Sequence, residues 1–227
     1  MDPVRKWRGE VSDPIKITAV KPMAGGFRVT VSVLEEPLQI SPALYADHRL
    51  TEGIVLTQAQ LDQLLRAIEV ERCDRETARL LALREHTVGE IRQKLRRKGF
   101  GSAVIAGVVG KYQSKGLLDD ARAAHYMVRQ ALERKAAGRS YLIALLRHKL
   151  VARELAAEVV DQALEGRDET ALALAALERK WPSLAQLEVE TAQRKAYSYL
   201  SRRGFGYEAA RAAVQRLTGH TDEVSDD

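Results

Sequence analysis

The sequence predicts a mainly α-helical protein built from tandem three-helix repeats, with a small β-hairpin segment at the N-terminus. The chain is rich in alanine, leucine and arginine and contains only 5% aromatic residues, a composition that favours helices. The heptapeptide LRRKGFG at 95–101 returns as LSRRGFG at 200–206 and, more weakly, as LRHKLVA at 146–152. Repeats of this kind stack on their neighbours, so we expect an elongated, curved array.

The N-terminal part has the two-residue period of β-strands. Apolar residues alternate with polar ones over 15–20 and again over 27–33, on either side of Gly25-Gly26. This pattern is typical of a β-hairpin. Pro37 and Pro42 are expected to end the strand pattern, because proline cannot donate a ladder hydrogen bond.

Each copy of the repeat reads as an apolar helix with a basic end, then a turn, then another apolar helix. Gly99 and Gly204 stand where a helix end requires a left-handed residue. Leu150 takes this place in the second copy, so that turn either avoids a positive φ or accepts some strain. A further helix precedes each pair, near 75–85, 119–136 and 170–181. The middle helices are predicted near 87–98, 140–148 and 190–203.

Several polar residues mark helix starts. Three pairs have the spacing of a capping box: Thr57 with Gln60, Thr87 with Glu90, and Ser183 with Gln186. Asp119-Asp120 could hold a metal or serve acid–base chemistry, but acids at a helix N-terminus also accept free backbone N–H groups. We therefore favour capping for this pair.

These elements give the predicted domain organisation, since the apolar period becomes helical from Thr57 onward. The segments are an N-terminal hairpin extension at 1–56, a linking helix with the first repeat at 57–118, the second repeat at 119–167, the third repeat at 168–219 and an acidic tail at 220–227.

Positive charge is concentrated in the middle of the chain. Residues 84–153 contain 16 Lys and Arg against 5 Asp and Glu, a net charge of +11, and the rest carries −6. Such a block attracts polyanions or an acidic protein surface. The alternative is a solvated helix face, but the same sign continues through the second repeat. The candidate contact residues are Arg92, Lys94, Arg96, Arg97, Lys98, Arg129, Arg134, Lys135, Arg139, Arg147 and Lys149.

Patterns for catalysis or metal binding are missing from the sequence. The five histidines have no metal-ligand spacing, the single Cys73 has no clear catalytic partner, and no phosphate-binding loop is present. We expect no catalytic residue, metal or cofactor, and therefore not an enzyme. We also find no export signal and no apolar stretch long enough to cross a membrane, which favours a cytoplasmic protein.

Four segments resemble the RecX family over roughly 76–217. They are REHTVGEI at 84–91 with the following Leu95, Lys98, Gly99 and Phe100; LLDDA at 117–121 with Ala124, Tyr126 and Arg129; Gly138-Arg139 with Leu142 and Leu146; and Arg203-Gly204-Phe205. Two departures are Leu150, where the family usually has Gly, and Thr87, where Ser is frequent.

The resemblance implies a regulator that lies in the groove of the RecA–DNA filament. Such a protein modulates, and mostly inhibits, the recombinase, ATPase and coprotease activities of RecA, and it binds single- and double-stranded DNA more weakly. We expect a monomer. From the residues alone, a plain DNA-binding helical-repeat protein without RecA specificity remains the alternative, because phosphate contacts need only spaced Lys and Arg.

Overall fold

The fold is known from a computed structural model, which describes the backbone of residues 14–222 and the side chains as far as Gly219. The part of the predicted acidic tail after Asp222 lies outside these residues. Contacts divide the chain into two compact units, Met1–Ala82 with Leu95–Lys111 and Leu83–Lys94 with Tyr112–Asp227.

The first compact unit contains an antiparallel sheet of four strands in the order β3-β2-β1-β4. The predicted hairpin is confirmed, and its two strands meet at Gly25-Gly26, where both residues have positive φ. The strands are β1 (Ile15–Met23), β2 (Gly26–Val31), β3 (Leu38–Ile40) and β4 (Val55–Leu56).

The prediction that prolines end the strand pattern was wrong for Pro37. Strand β3 follows it immediately, pairs with β2 and buries Leu38 and Ile40. Three residues are too few for a two-residue period to show in the sequence. Pro42 does end the strand region, because it begins a short helix, α1 (Pro42–Asp47), at a position that needs no backbone donor.

One face of the sheet packs against a long helix, α2 (Gln58–Leu83). Leu61, Leu64 and Ile68 of this helix share a buried cluster with Ile17 and Val29 of the sheet. The helix starts with the predicted capping box. The Gln60 side chain accepts from the Thr57 backbone N–H at 2.8 Å, and the Thr57 hydroxyl accepts from the Gln60 N–H at 3.2 Å.

Three helix pairs follow and complete the predicted three-helix repeats. The first repeat uses the C-terminal part of α2, and the second and third repeats bury their own apolar clusters. The remaining helices are α3 (Val88–Arg97), α4 (Ser102–Ser114), α5 (Asp120–Arg134), α6 (Arg139–His148), α7 (Arg153–Leu164), α8 (Glu169–Glu178), α9 (Val189–Arg202) and α10 (Tyr207–Asp222).

The turn that ends each middle helix has the same hydrogen bonding in all three repeats. Phe100, Val151 and Phe205 each donate a backbone N–H to the carbonyl five residues earlier, at 3.1–3.2 Å, as in a Schellman motif. The residue before each of them has a positive φ: 88° at Gly99, 62° at Leu150 and 80° at Gly204. Leu150 therefore keeps the turn and accepts the strain.

The capping box predicted at Ser183 and Gln186 was wrong. Trp181–Ser183 form a 3-10 turn, and the Ser183 hydroxyl donates to the Lys180 carbonyl at 2.8 Å. Helix α9 begins only at Val189, after Glu188. The capping role predicted for Asp119 is confirmed, because its carboxylate accepts the N–H groups of Ala121 and Arg122.

Candidate functional site

The end of helix α6 packs against the start of helix α3, which joins the second repeat to the first. The Thr87 hydroxyl donates to the Lys149 carbonyl at 2.5 Å. A Cβ atom on Gly89 would lie only 2.4 Å from the Cβ of Leu150, so glycine permits this close approach. The Asp120 carboxylate accepts the Val88 N–H at 2.7 Å and adds the start of α5 to the junction.

A buried carboxylate holds this junction together. Glu90 is only 8% exposed, and its Oε1 accepts from Arg84 Nη2 at 2.9 Å and from Lys149 Nζ at 3.1 Å. Burial alone raises the pKa of this carboxyl, but hydrogen bonds from Arg84 and Lys149 outweigh it and lower the pKa to about 2. Glu90 is therefore ionised, and its charge engages two cations of the positive block.

His86 is another buried polar side chain at this junction. Its Nδ1 lies 2.9 Å from the Arg84 carbonyl and its Nε2 lies 2.7 Å from Lys94 Nζ. The lysine can only donate, so Nε2 accepts and Nδ1 carries the proton. Burial, the largest influence, lowers the pKa of the imidazole, and the ring is neutral.

A cationic groove lies beside the junction, and we call it the junction groove. Its volume is about 440 Å³. It is lined by Val88, Gly89, Arg92, Asp120, Arg147, Leu150, Val151, Ala152 and Arg153. Among the residues that the structure describes, none of the three arginine side chains contacts a carboxylate, whereas the lining acid Asp120 already accepts the Val88 N–H. Leu150 is 47% exposed, so the groove combines positive charge with an apolar side chain.

The structure thus brings two of the sequence-predicted residues, Arg92 and Arg147, into one groove. Arg153 and Leu150 line it as well and are not among the sequence-predicted residues. Arg153 is the last basic residue of the positive block, and Leu150 was noticed only as a departure from glycine. Their common location depends on the packing of α6 against α3, which no local sequence pattern reports.

Six other predicted residues of the second compact unit lie outside this groove, and four of them have partners within the protein. Arg139 forms two hydrogen bonds with Asp161, at 2.6 and 2.9 Å. Lys94 contacts His86, and Lys149 contacts Glu90. Arg129 lies 3.9 Å from Glu133 and stacks over the Tyr126 ring. Arg134 and Lys135 are exposed at the end of α5.

Three predicted residues belong to the first compact unit. Arg96 and Arg97 are exposed on the last turn of α3, and Lys98 Nζ lies 3.1 Å from Glu76 Oε1. Phe100, half-buried, lines a groove with Lys98 and three arginines of α2. Glu76 also pairs with Arg79 at 2.7 Å, so the charge of this groove is partly compensated.

The described part of the chain contains one buried thiol and no metal-binding cluster. Cys73 is buried, and burial raises the pKa of its thiol to about 11, so it is protonated. Within 14–222, no cluster of three His, Cys, Asp or Glu could hold a metal ion. No helix in that part of the chain is long and apolar enough to cross a membrane.

Comparison with known proteins gives the family. Models of the first and third three-helix domains of RecX match residues 77–111 and 167–214. The regulatory protein RecX of Pelodictyon phaeoclathratiforme is 34% identical over 139 residues, which are 61% of this chain and 84% of that protein. The chain belongs to the RecX family. RecX of Halorhodospira halophila is 36% identical over 138 residues, 60% of this chain and 82% of that protein.

Solved RecX structures are similar in fold. One crystal structure of regulatory protein RecX has a TM-score of 0.62 and 17% identity, and the match covers 87% of this chain and 97% of that chain. RecX from Lactobacillus salivarius has a TM-score of 0.58 and 18% identity, with 67% and 98% covered. RecX proteins are regulatory proteins, and the junction groove of this chain combines positive charge with an apolar side chain.

Proposed function

We propose that this RecX-family protein binds the RecA–DNA filament and modulates RecA, mostly by inhibiting its recombinase, ATPase and coprotease activities. Membership of the family supports RecA as the target. The observation that carries the proposal is the junction groove, which Arg92, Arg147 and Arg153 line together with an exposed Leu150. The groove is the contact that we propose for the filament.

The composition of the groove favours a protein surface over bare DNA. DNA phosphates require only cations and other hydrogen-bond donors. An acidic protein segment with an apolar residue would use the guanidinium groups of Arg92 and Arg147 and would also cover Leu150. Leu150 adopts a φ of 62°, which is unfavourable for leucine, and yet 47% of it stays exposed. A contact residue accounts for this combination better than a packing residue does.

The remaining predicted features belong to the same proposal. Weaker binding to single- and double-stranded DNA, a monomeric state and a cytoplasmic location are its further expectations. The other basic candidates in the first two repeats would contribute long-range attraction, which depends on net charge rather than on a shared groove.

A salt series tests the proposal. The groove variant Arg92→Glu/Arg147→Glu is compared with Arg194→Glu/Lys195→Glu, which changes the net charge equally on α9. Both control residues are exposed, and neither has a carboxylate partner among the described residues. Binding of each protein to bare single-stranded DNA and to RecA-coated DNA is measured by fluorescence anisotropy at increasing salt.

The expected result is a loss of filament affinity of at least about tenfold in the groove variant only, since two charge-assisted contacts are reversed. Wild-type binding to bare DNA should fall steeply with salt, and binding to the filament should fall less. If the groove variant binds the filament as the control does, the groove is not the contact. If wild type does not distinguish coated from bare DNA, the protein is a plain DNA-binding protein.

A further inference from the structure

The outward face of the N-terminal sheet is a second charged surface, and its strands precede in sequence the residues matched by the family models. Ile15, Ile17, Val29 and Val31 point into the core. The outward face carries the polar residues Lys16, Lys21, Arg28, Thr30 and Gln39, all exposed or partly exposed, and also the apolar Ala19, Met23 and Val55. One row crosses three strands, because Lys21 pairs with Arg28 and Arg28 pairs with Gln39. The neighbouring pair on this face is Ala19 with Thr30.

The charges in this row are of one sign. Lys21 and Arg28 stand directly opposite each other on neighbouring strands, an arrangement that is destabilising for like charges. None of the four described strands contains Asp or Glu, while β1 and β2 contribute Lys16, Lys21 and Arg28. Glu35 and Glu36 follow β2 in the chain, after its last residue Val31, whereas Arg28 lies near the start of that strand.

A sheet face that is only exposed to solvent would not be expected to place two like charges directly opposite each other. Antiparallel sheets commonly expose one polar face, but cross-strand pairs of opposite charge stabilise such a face and like charges do not. The Lys21–Arg28 pair therefore has an unfavourable local energy that no carboxylate of the strands offsets. Binding of an anion between the two side chains would supply the missing negative charge.

We propose that this sheet face, centred on Lys21 and Arg28 and extended by Thr30 and Gln39, binds the phosphate backbone of double-stranded DNA. Lys, Arg, Thr and Gln side chains are all common donors to phosphate oxygens. Lys21, Arg28 and Gln39 form a row without an apolar residue that could anchor a protein interface, and the exposed Met23 and Val55 lie apart from each other, beside opposite ends of β1. It also has no aromatic ring on which single-stranded bases could stack.

The aromatic side chain of the strands is turned away from this face. Phe27 packs with the sheet core and stacks on Tyr45 with ring centroids 3.9 Å apart. The sheet face therefore contacts the backbone without reading bases, and a duplex presents the denser array of phosphates. The proposal rests on the duplex binding that the proposed function expects and gives that binding a site, but it does not depend on the junction groove or on RecA.

The test uses the full-length variant Lys21→Gln/Arg28→Gln, with Arg194→Gln/Lys195→Gln as a control of equal charge loss. Affinity for a short duplex and for a single strand of the same length is measured by fluorescence anisotropy over a salt series without RecA. Thermal unfolding of all three proteins is recorded in parallel. The sheet variant should unfold at the same or a higher temperature than wild type, because a like-charge pair has been removed.

Duplex affinity of the sheet variant should fall at least about tenfold at low salt, and the slope of log K against log salt should become shallower by about 1.8, for two phosphate contacts. The control variant should bind the duplex nearly as wild type does. Two results would overturn the proposal: a sheet variant whose duplex affinity equals that of the control, or one that loses single-strand affinity as strongly as duplex affinity.

Discussion

Lys149 Nζ lies 3.1 Å from Glu90 Oε1, and this ion pair joins the end of α6 to the start of α3 across the junction of the first two repeats. The carboxylate is buried and also receives Arg84 at 2.9 Å. Glu90 further completes the predicted capping box, since the Thr87 hydroxyl accepts the Glu90 N–H at 3.0 Å. One residue thus starts a helix and connects two repeats.

Replacing Glu90 with Gln should lower the free energy of unfolding by about 3 kcal/mol at neutral pH, the amount that corresponds to a pKa of about 2 against an ordinary 4.5. The pKa is lower in the folded state, so the stabilisation is complete above pH 4.5 and is lost as pH falls towards 2. Urea unfolding of wild type and variant at several pH values measures it. Glu133→Gln, which removes an exposed carboxylate, should cost little. A difference that does not depend on pH would contradict this account of the pair.

His86 should make stability depend on pH in a higher range. Burial lowers the pKa of its imidazole from the ordinary 6.5, so its contribution is complete above 6.5 and declines as pH falls below that value. Protonation would also replace the acceptor for Lys94 by a donor, beside Arg84. His86→Gln should remove this decline in thermal unfolding between neutral and mildly acidic pH, while His125→Gln, at an exposed site, should retain it.

Gly89 and Leu150 should be energetically coupled. Gly89→Ala places a Cβ 2.4 Å from that of Leu150 and should destabilise the protein by about 1–3 kcal/mol. Leu150→Gly removes the strain of the positive φ, which should stabilise the folded protein by about 1–2 kcal/mol. Part of this gain is lost because glycine gives the unfolded chain more conformational entropy. The single Leu150→Gly protein should therefore be at least as stable as wild type, and the double variant should recover most of the loss. Strict additivity in urea unfolding would show that the two sites do not touch.

Phe100 and Phe205, which occupy equivalent positions in the first and third repeats, should differ in their contribution to stability. Phe205 is buried in the core of the third repeat, whereas Phe100 is half-buried beside a groove of basic residues. Phe205→Ala should cost about 3–5 kcal/mol, as large-to-small core substitutions do, and Phe100→Ala should cost clearly less. Equal losses in chemical denaturation would mean that both rings are packed alike.

The repeat architecture was predictable because the same helices and the same turn recur at Gly99, Leu150 and Gly204. Repetition makes a weak local pattern reliable. The short strands β3 and β4 were not predictable, since two or three residues show no period and their pairing with β2 and β1 is a tertiary contact. Ser183 and Gln186 have the spacing of a capping box, but the Ser183 hydroxyl binds a backbone carbonyl instead.

The site was predictable only in its composition. The positive block pointed to Arg92 and Arg147, but their common groove arises from the approach of Leu150 to Gly89, which are distant in sequence. The sequence also treated Lys149 as a surface cation, whereas Glu90 engages it within the junction. Whether a basic residue is available depends on which carboxylate the fold places beside it, and the fold alone supplies that information.

The most direct test of the central claim is RecA ATP hydrolysis on single-stranded DNA, titrated with this protein. Wild type and Arg194→Glu/Lys195→Glu should reduce the hydrolysis rate at similar concentrations. Arg92→Glu/Arg147→Glu, if its unfolding curve matches wild type, should need at least about tenfold more protein for the same reduction. Equal titration curves for the groove variant and wild type, or no effect of wild type on RecA, would contradict the account.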